Sequence, residues 1–572
     1  MLFNKKIFVV LVFGVIAGGA LAQKGQFVSP LTRPLRLSGT FCELRPDHFH
    51  SGIDIKTNQV EGWPVIAIAD GYISRIAISP TGYGKALYID HPGGYTSVYA
   101  HLQRMNGKIQ DYVIRKHYEL RSYRMDISLK PGELRVKQGD TIAFSGNSGS
   151  SGGPHLHFEI RDSRSQQALD PLEFGFPVKD WVRPTLNFIK IYPEGDGSLV
   201  DNSPDPKIYY LAGWGPRYRL RHKDTIYLSG KAWFGISAHD LLVDEPNKNG
   251  VKSVQLFIDS VEVFSVAFNR LSFDKTRYIN AFCDYAERFN TGRWVMQTRL
   301  APCNELDIYG QVKDRGVYAF ESGMVYNVHF LVKDHYGNES VLRFVVKGVQ
   351  PVYAPLGRNR PSRVQFKCNE PARFDTIGFS FEAPAGAFYD TVNFQYRRIS
   401  SPSAYYADFH RVHYGSTPIQ KPCKISLGTR PIPARLKNKA LIVRVNEKGK
   451  PFAVGGRWKQ DRITTTIRTF GTYSVLADTL PPIIRVLNAV SKKPLQRNQP
   501  LRVRITDDLS GIASYEATLN GKWILMEYDA KNNLLIYNPD EWIKAGDNLL
   551  HVKATDEVGN SASLEITLNY KP

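Results

Sequence analysis

Two histidines stand one residue apart in "GGPHLHFEI", His155 and His157, where a Gly-rich turn runs into an apolar stretch. Three further candidates lie upstream: His50 and Asp54 in "HFHSGIDI", and His101 in "YAHL". Imidazole nitrogens and a carboxylate are the ligands that a tetrahedral zinc site takes. Three protein ligands would leave a fourth position open, as a catalytic rather than a structural site requires. Zinc then brings the pKa of its water to about 7. Attack on a peptide carbonyl also needs a proton acceptor and a group to steady the oxyanion, and spare histidines can fill both roles.

Each residue alone has an ordinary reading, because a single histidine in a half-buried strand is usually a satisfied core or surface group. H-x-H and H-x-x-x-D are weak signals separately. Their joint presence, in this order and with "YAHL" between them, is a strong one. His48 and His91 fit neither role and read as strand-end or turn residues.

The elements that must position these groups are strands. Ser51 and Gly52 interrupt any helix between His50 and Asp54, and the flanks alternate, so i and i+4 of a strand would point to one side. The same rule puts His155 and His157 on one face, with β-carbons roughly 7 Å apart. Spacing leaves open which of the two is the ligand. From about residue 25 to 178, short β-like runs such as "ALYIDHPGGYTSVYAHL" and "DTIAFSGNSG" alternate with Gly turns. They predict an all-β sheet domain with no long helix.

Residues 193 to 206, "PEGDGSLVDNSPDP", read as a domain boundary. Beyond it, "VYNVHFLVKDHYGNESVLRFVV" and "DNLLHVKATDEVGNSASLEITL" share one layout: strand, D-x-x-G-N, strand. Asp334 to Asn338 and Asp556 to Asn560 are thus hairpin turns, Asp supplying Asx-turn bonds and Gly a positive φ. His329 and His551 sit at the same offset before these turns, which marks them as strand-surface residues. The expected layout is a signal peptide at 1–22, a zinc-site β domain at 23–180, immunoglobulin-like β-sandwiches at 207–350 and 483–572, and a β-rich module at 351–478. "DTLPP" at 478 to 482 is a rigid linker. "TDDLSGI" at 506 to 512 hints at calcium, with a plain turn the better reading.

At 572 residues with 42% hydrophobic content the chain exceeds one core and reads as several globular domains. Lys5 and Lys6, an apolar run from Ile7, and Ala20-Leu21-Ala22 form a secretory signal with cleavage before Gln23. No later stretch is apolar enough to cross a bilayer, so an exported protein of the periplasm or cell surface is expected. Net charge is +20, of which Lys5 and Lys6 contribute two, leaving +18. The basic residues are scattered and no nucleic-acid-reading motif accompanies them, which favours an anionic envelope polymer over nucleic acid. Of five cysteines, sequence-local pairing gives Cys283–Cys303 and Cys368–Cys423 with Cys42 free.

"HSGIDI", "DGYISRIAIS", "YIDHPGGYTSVYAHL" and "KQGDTIAFSGNSGSSGGPHLHFEI" resemble, in sequence and order, the lysostaphin and LytM type of zinc metalloendopeptidase, which cuts peptidoglycan. The resemblance covers residues 40 to about 175. It implies one zinc ion held by His50, Asp54 and His157. It implies that His101 and His155 are catalytic histidines off the metal, activating water or stabilising the tetrahedral intermediate. It also implies peptidoglycan as partner and stem or cross-link peptide bonds as substrate. One departure is the insertion "QRMNGKIQDYVIRKHYELRSYRMDISLKPGELR", whose composition fits a lid, a groove wall or a floppy surface loop. The alternative is a non-catalytic envelope-binding scaffold that meets protein partners through its immunoglobulin-like modules. A protein or bacteriocin-like peptide target is a third possibility.

Overall fold

The computed structural model describes residues 27–351, 364–488 and 494–572, and the expected signal at 1–22 lies outside them. Among the described residues no helix is long and apolar enough to cross a membrane. The molecule is all-β, with the histidine-bearing domain at the N-terminal end and β-rich modules behind it.

The first domain is built on an antiparallel sheet ordered Leu37–Gly39, Ile53–Lys56, His155–Asp162, Tyr95–Ala100, Lys85–His91, Gly71–Ile78, Met125–Ser128. A second small sheet joins Pro64–Ile66, Thr141–Ser145 and Leu102–Met105. Alternating Ile, Leu, Val and aromatic side chains bury one core, Ile53, Ile55, Ile73, Leu87, Leu156 and Phe158 among them. The domain does hold one long helix, Gly107–Leu120, contrary to the sequence expectation. It occupies the insertion and buries Ile109, Tyr112, Val113 and His117 at helical spacing. The insertion is not a loose surface loop. Tyr118 packs on Trp523 and Trp542 of the last module and donates a hydrogen bond to Asp540.

The first following module begins earlier than expected. Residues 193–200 continue the strand Thr185–Val200, which pairs with Thr225–Leu241 across two register shifts, so the turn-forming residues are absorbed inside the ladder. This module shares a core with the first domain, since Phe41, Cys42, Phe49 and Ala168 join its cluster. Residues 364–478 fold as two five-stranded sheets, and the last module as a four- and a five-stranded sheet. Both expected hairpins are present, Val325–Lys333 with Glu339–Gly348 and Gly546–Asp556 with Ser561–Lys571. The last module folds back onto the first domain, where Leu525 enters its core and Lys85 pairs with Glu527 at 2.8 Å.

The cysteine pairing differs from the local guess. Cys303 bonds Cys368 across adjoining modules, while Cys283 and Cys423 are buried as free thiols inside their own modules; Cys42 is free and buried.

Candidate metal centre and catalytic site

Register brings the site together. His157 lies opposite Asp54 on one neighbouring strand and opposite Ala100 on the other, so three chain segments meet at one point. Directly opposed residues of an antiparallel pair share a face, which places Asp54 beside His157. His101 follows Ala100 at the strand end and takes a left-handed conformation, φ 59°. Its N–H donates to the Tyr83 carbonyl at 2.9 Å, which fixes that unusual backbone. His50 lies just outside the strand expected to carry it, because the strand begins at Ile53. Backbone bonds from Cys42 N–H to the His50 carbonyl and from His50 N–H to the Glu43 carbonyl hold it instead. Gly52 lets this segment pass, since a β-carbon there would stand 2.3 Å from the Phe158 carbonyl.

His50 Nε2, Asp54 Oδ1 and His157 Nδ1 lie 3.0 to 3.1 Å from one another, and all three residues are buried. Surrounding acceptors decide which nitrogens carry protons. A carbonyl can only accept, so His50 donates Nδ1–H to Thr40 at 2.8 Å and turns an Nε2 lone pair inward. His157 donates Nε2–H to Glu159 at 2.8 Å and turns Nδ1 inward. When Nδ1 gives up its own proton, as ligation requires, three lone pairs converge, a donor set that fits a divalent cation such as zinc. Arg45 holds the second oxygen of Asp54 at 2.9 Å.

Charge follows the same pattern. Burial works against ionisation of Asp54, but the imidazoles around it win and hold it well below the usual carboxylate range. His50 is pushed down, chiefly by burial. Burial also opposes protonation of His157, yet the hydrogen bonds and charges of Asp54 and Glu159 overcome it and lift His157 to about 9.

His101 and His155 stand beside this centre with ring centroids 4.8 Å apart. Each donates Nδ1–H to a backbone carbonyl, His101 to Ser148 at 2.9 Å and His155 to Gly153 at 2.8 Å, so both present Nε2. His155 Nε2 is 3.4 Å from Asp54 Oδ1. Burial and the neighbouring imidazoles push His101 down to about 3, which keeps Nε2 a free acceptor at neutral pH. His48 pairs with exposed Asp47, and His91 bonds the Asp70 carbonyl and Ser97, both away from this cluster.

Sequence reasoning missed Glu159 and its supports. Glu159 is fully buried and accepts from Ser51 at 2.6 Å, from Tyr83 and from Arg161. Tyr83 also stacks on His157 at 5.2 Å. The signal was present, because His155, His157, Glu159 and Arg161 alternate along one strand face. A cleft of about 630 Å³ opens over Asp54 and His155, walled by Arg36, Arg45 and Lys56.

Residues 48–118 and 118–171 match peptidase family M23, and residues 363–478 match a Zu5-like domain. An uncharacterized metalloprotease of Haemophilus influenzae is 32% identical over 168 residues, covering 28% of this chain and 29% of its own length. The DD-carboxypeptidase/endopeptidase Mpg of Neisseria meningitidis is 31% identical over 169 residues, covering 28% of this chain and 32% of its own length. The catalytic domain of the antimicrobial peptidase lysostaphin from Staphylococcus simulans is 25% identical, over 24% of this chain and 91% of that chain, with a TM-score of 0.19. The chain therefore spans about a third of the length of the two curated relatives.

Proposed function

We propose, from the premise that residues 48–171 are a LytM/lysostaphin-type domain of peptidase family M23, that this chain is an exported zinc endopeptidase. Its substrate in this reading is peptidoglycan, cut at peptide bonds of stems or cross-links. The carrying observation is the convergence of His50 Nε2, Asp54 Oδ1 and His157 Nδ1 within 3.1 Å of one another, beside the imidazoles of His101 and His155.

His50, Asp54 and His157 are the zinc ligands in this proposal. Zinc bound there supplies Lewis acidity and makes water nucleophilic at neutral pH. His101 and His155 do the proton work. One Nε2 accepts the proton that water loses on attacking the carbonyl; the resulting imidazolium carries N–H on both nitrogens and later gives that proton to the leaving amine. The other steadies charge developing on the carbonyl oxygen. Arg45, Arg36 and Lys56 wall the cleft, each paired with an acid, Arg45 with Asp54 and Glu43, Arg36 and Lys56 with Glu245. Relatives named endopeptidase and lysostaphin support a wall substrate, and the periplasm or cell surface is the location that goes with this reading.

The test is digestion of purified sacculi by wild type, His157→Ala and His101→Ala, with mass spectrometry of released muropeptides. Wild type should release fragments whose new termini name the bond, and both variants should release almost none. Equal release by all three ends the proposal.

A further inference from the structure

Three carboxylates gather where the peptidase domain passes into the first β-sandwich. Asp180 lies in the linker, Asp240 near the end of the strand Thr225–Leu241, and Asp334 opens the hairpin turn at 334–338. One oxygen from each lies within 4.8 Å of the others. Two of the three are oriented by the backbone. Asp334 Oδ1 accepts from the Tyr336 and Asn338 amides and its Oδ2 from the Asn338 side chain, while Asp180 Oδ1 accepts from the Val182 amide.

Asp240 differs. It is 1% exposed, and its Oδ1 has no hydrogen-bond partner among the described residues. Asp180 Oδ2, also buried, has none either. The basic side chain that bears on Asp180, His335, is paired with Asp170 at 2.7 Å. Buried carboxylate oxygens facing one another without a counter-charge are unfavourable unless a cation or a proton joins them. Burial and the two neighbouring carboxylates push Asp240 up to about 9, the direction a missing cation produces.

We infer that Asp180, Asp240 and Asp334 form a calcium site that ties the linker after the peptidase domain to the first β-sandwich. An all-oxygen, carboxylate-rich donor set selects a hard cation over zinc. Calcium completes a flexible shell of six to eight oxygens with backbone carbonyls and water, whereas magnesium demands near-octahedral geometry.

The last module repeats the layout. Asp478, in the linker before it, accepts from the Leu480 amide as Asp180 does from Val182. Asp556 accepts from Val558 and Asn560 as Asp334 does from Tyr336 and Asn338. Asp507 completes the group within 4.8 Å, and its buried Oδ1 has no partner. Linker Asp and turn Asp recur in the two modules; the third member differs, since Asp507 Oδ2 accepts from the Leu509 and Gly511 amides and only its Oδ1 is left over.

Equilibrium dialysis of the purified full chain against radiolabelled calcium chloride, up to about 5 mM as extracellular calcium modules require, tests the inference. Wild type should bind calcium, and Asp240→Asn and Asp180→Asn should each lose one equivalent while zinc content stays the same. Calcium should also slow tryptic cleavage after exposed Lys179 in wild type and not in Asp180→Asn. If Asp240→Asn fails to fold, Asp180→Asn, on a partly exposed linker residue, decides. No bound calcium in wild type, or full stoichiometry in the folded variants, overturns the site.

Discussion

His157 donates Nε2–H to Glu159 at 2.8 Å and thereby presents Nδ1 to Asp54 at 3.0 Å. The metal-facing nitrogen of one residue is thus chosen by a buried carboxylate two positions along the strand. Glu159→Gln keeps the shape but turns an amide N–H₂ toward groups that are themselves donors, Ser51, Tyr83 and Arg161. Zinc affinity should fall about 10- to 100-fold, the usual effect of losing a carboxylate behind a histidine ligand. Competition titration against a chromophoric chelator measures it, and unchanged affinity would show that Glu159 does not set the tautomer.

His101 carries backbone strain at a functional position, φ 59° in a residue that is not glycine. Asparagine tolerates the left-handed region better. His101→Asn should therefore melt no lower than wild type while sacculus hydrolysis drops at least about 100-fold. A variant that loses activity and also melts several degrees lower would mean the loss reflects folding and not proton transfer.

The last module reaches the site through one loop. Lys531 donates to the Asn147 and Ser151 carbonyls, and Ser148 between them accepts from His101. Releasing that loop should misorient His101 without touching the metal ligands. For Lys531→Ala, kcat should fall about three- to tenfold with zinc content unchanged. Wild-type kcat in this variant would leave the docking of the last module without a catalytic consequence.

What the sequence made legible was governed by alternation and local turns. Asp54 and His157 could be placed because strand periodicity is local, and the D-x-x-G-N turns because Asx bonding spans four residues. His50 was placed on the right point by the wrong element, since nonlocal backbone bonds to Cys42 and Glu43 position it. The helix Gly107–Leu120 was hidden because it carries no side-chain N-cap and opens on Gly107, and its apolar face is narrow. The strand Thr185–Val200 crosses the Gly-rich stretch that looked like a boundary, because a register shift between Glu194 and Leu199 accommodates the extra residues. The Cys303–Cys368 link joins two modules, and no sequence-local rule reports which modules touch.

The module at 364–478 should be the acid-labile part of the chain. Burial pushes both His410 and His413 down to about 4, and each ring uses Nδ1 as an acceptor, from the Tyr396 hydroxyl at 2.8 Å and the Gln395 amide at 3.2 Å. Their unfolded value is about 6.5. Folded pKa below unfolded means that the unfolded chain binds more protons, so stability is complete above about 6.5 and declines toward 4. At pH 5 each histidine should have withdrawn about 2 kcal/mol relative to pH 7.5. Hydrogen exchange of the strand Cys423–Gly428, corrected for the intrinsic pH dependence of exchange, reads the module directly. Its protection free energy should drop between the two pH values while that of the strand Gly546–Asp556 changes less, since His551 there is only partly buried on the strand surface. Equal protection of Cys423–Gly428 at both pH values would mean that the two buried rings accept protons without loosening their module.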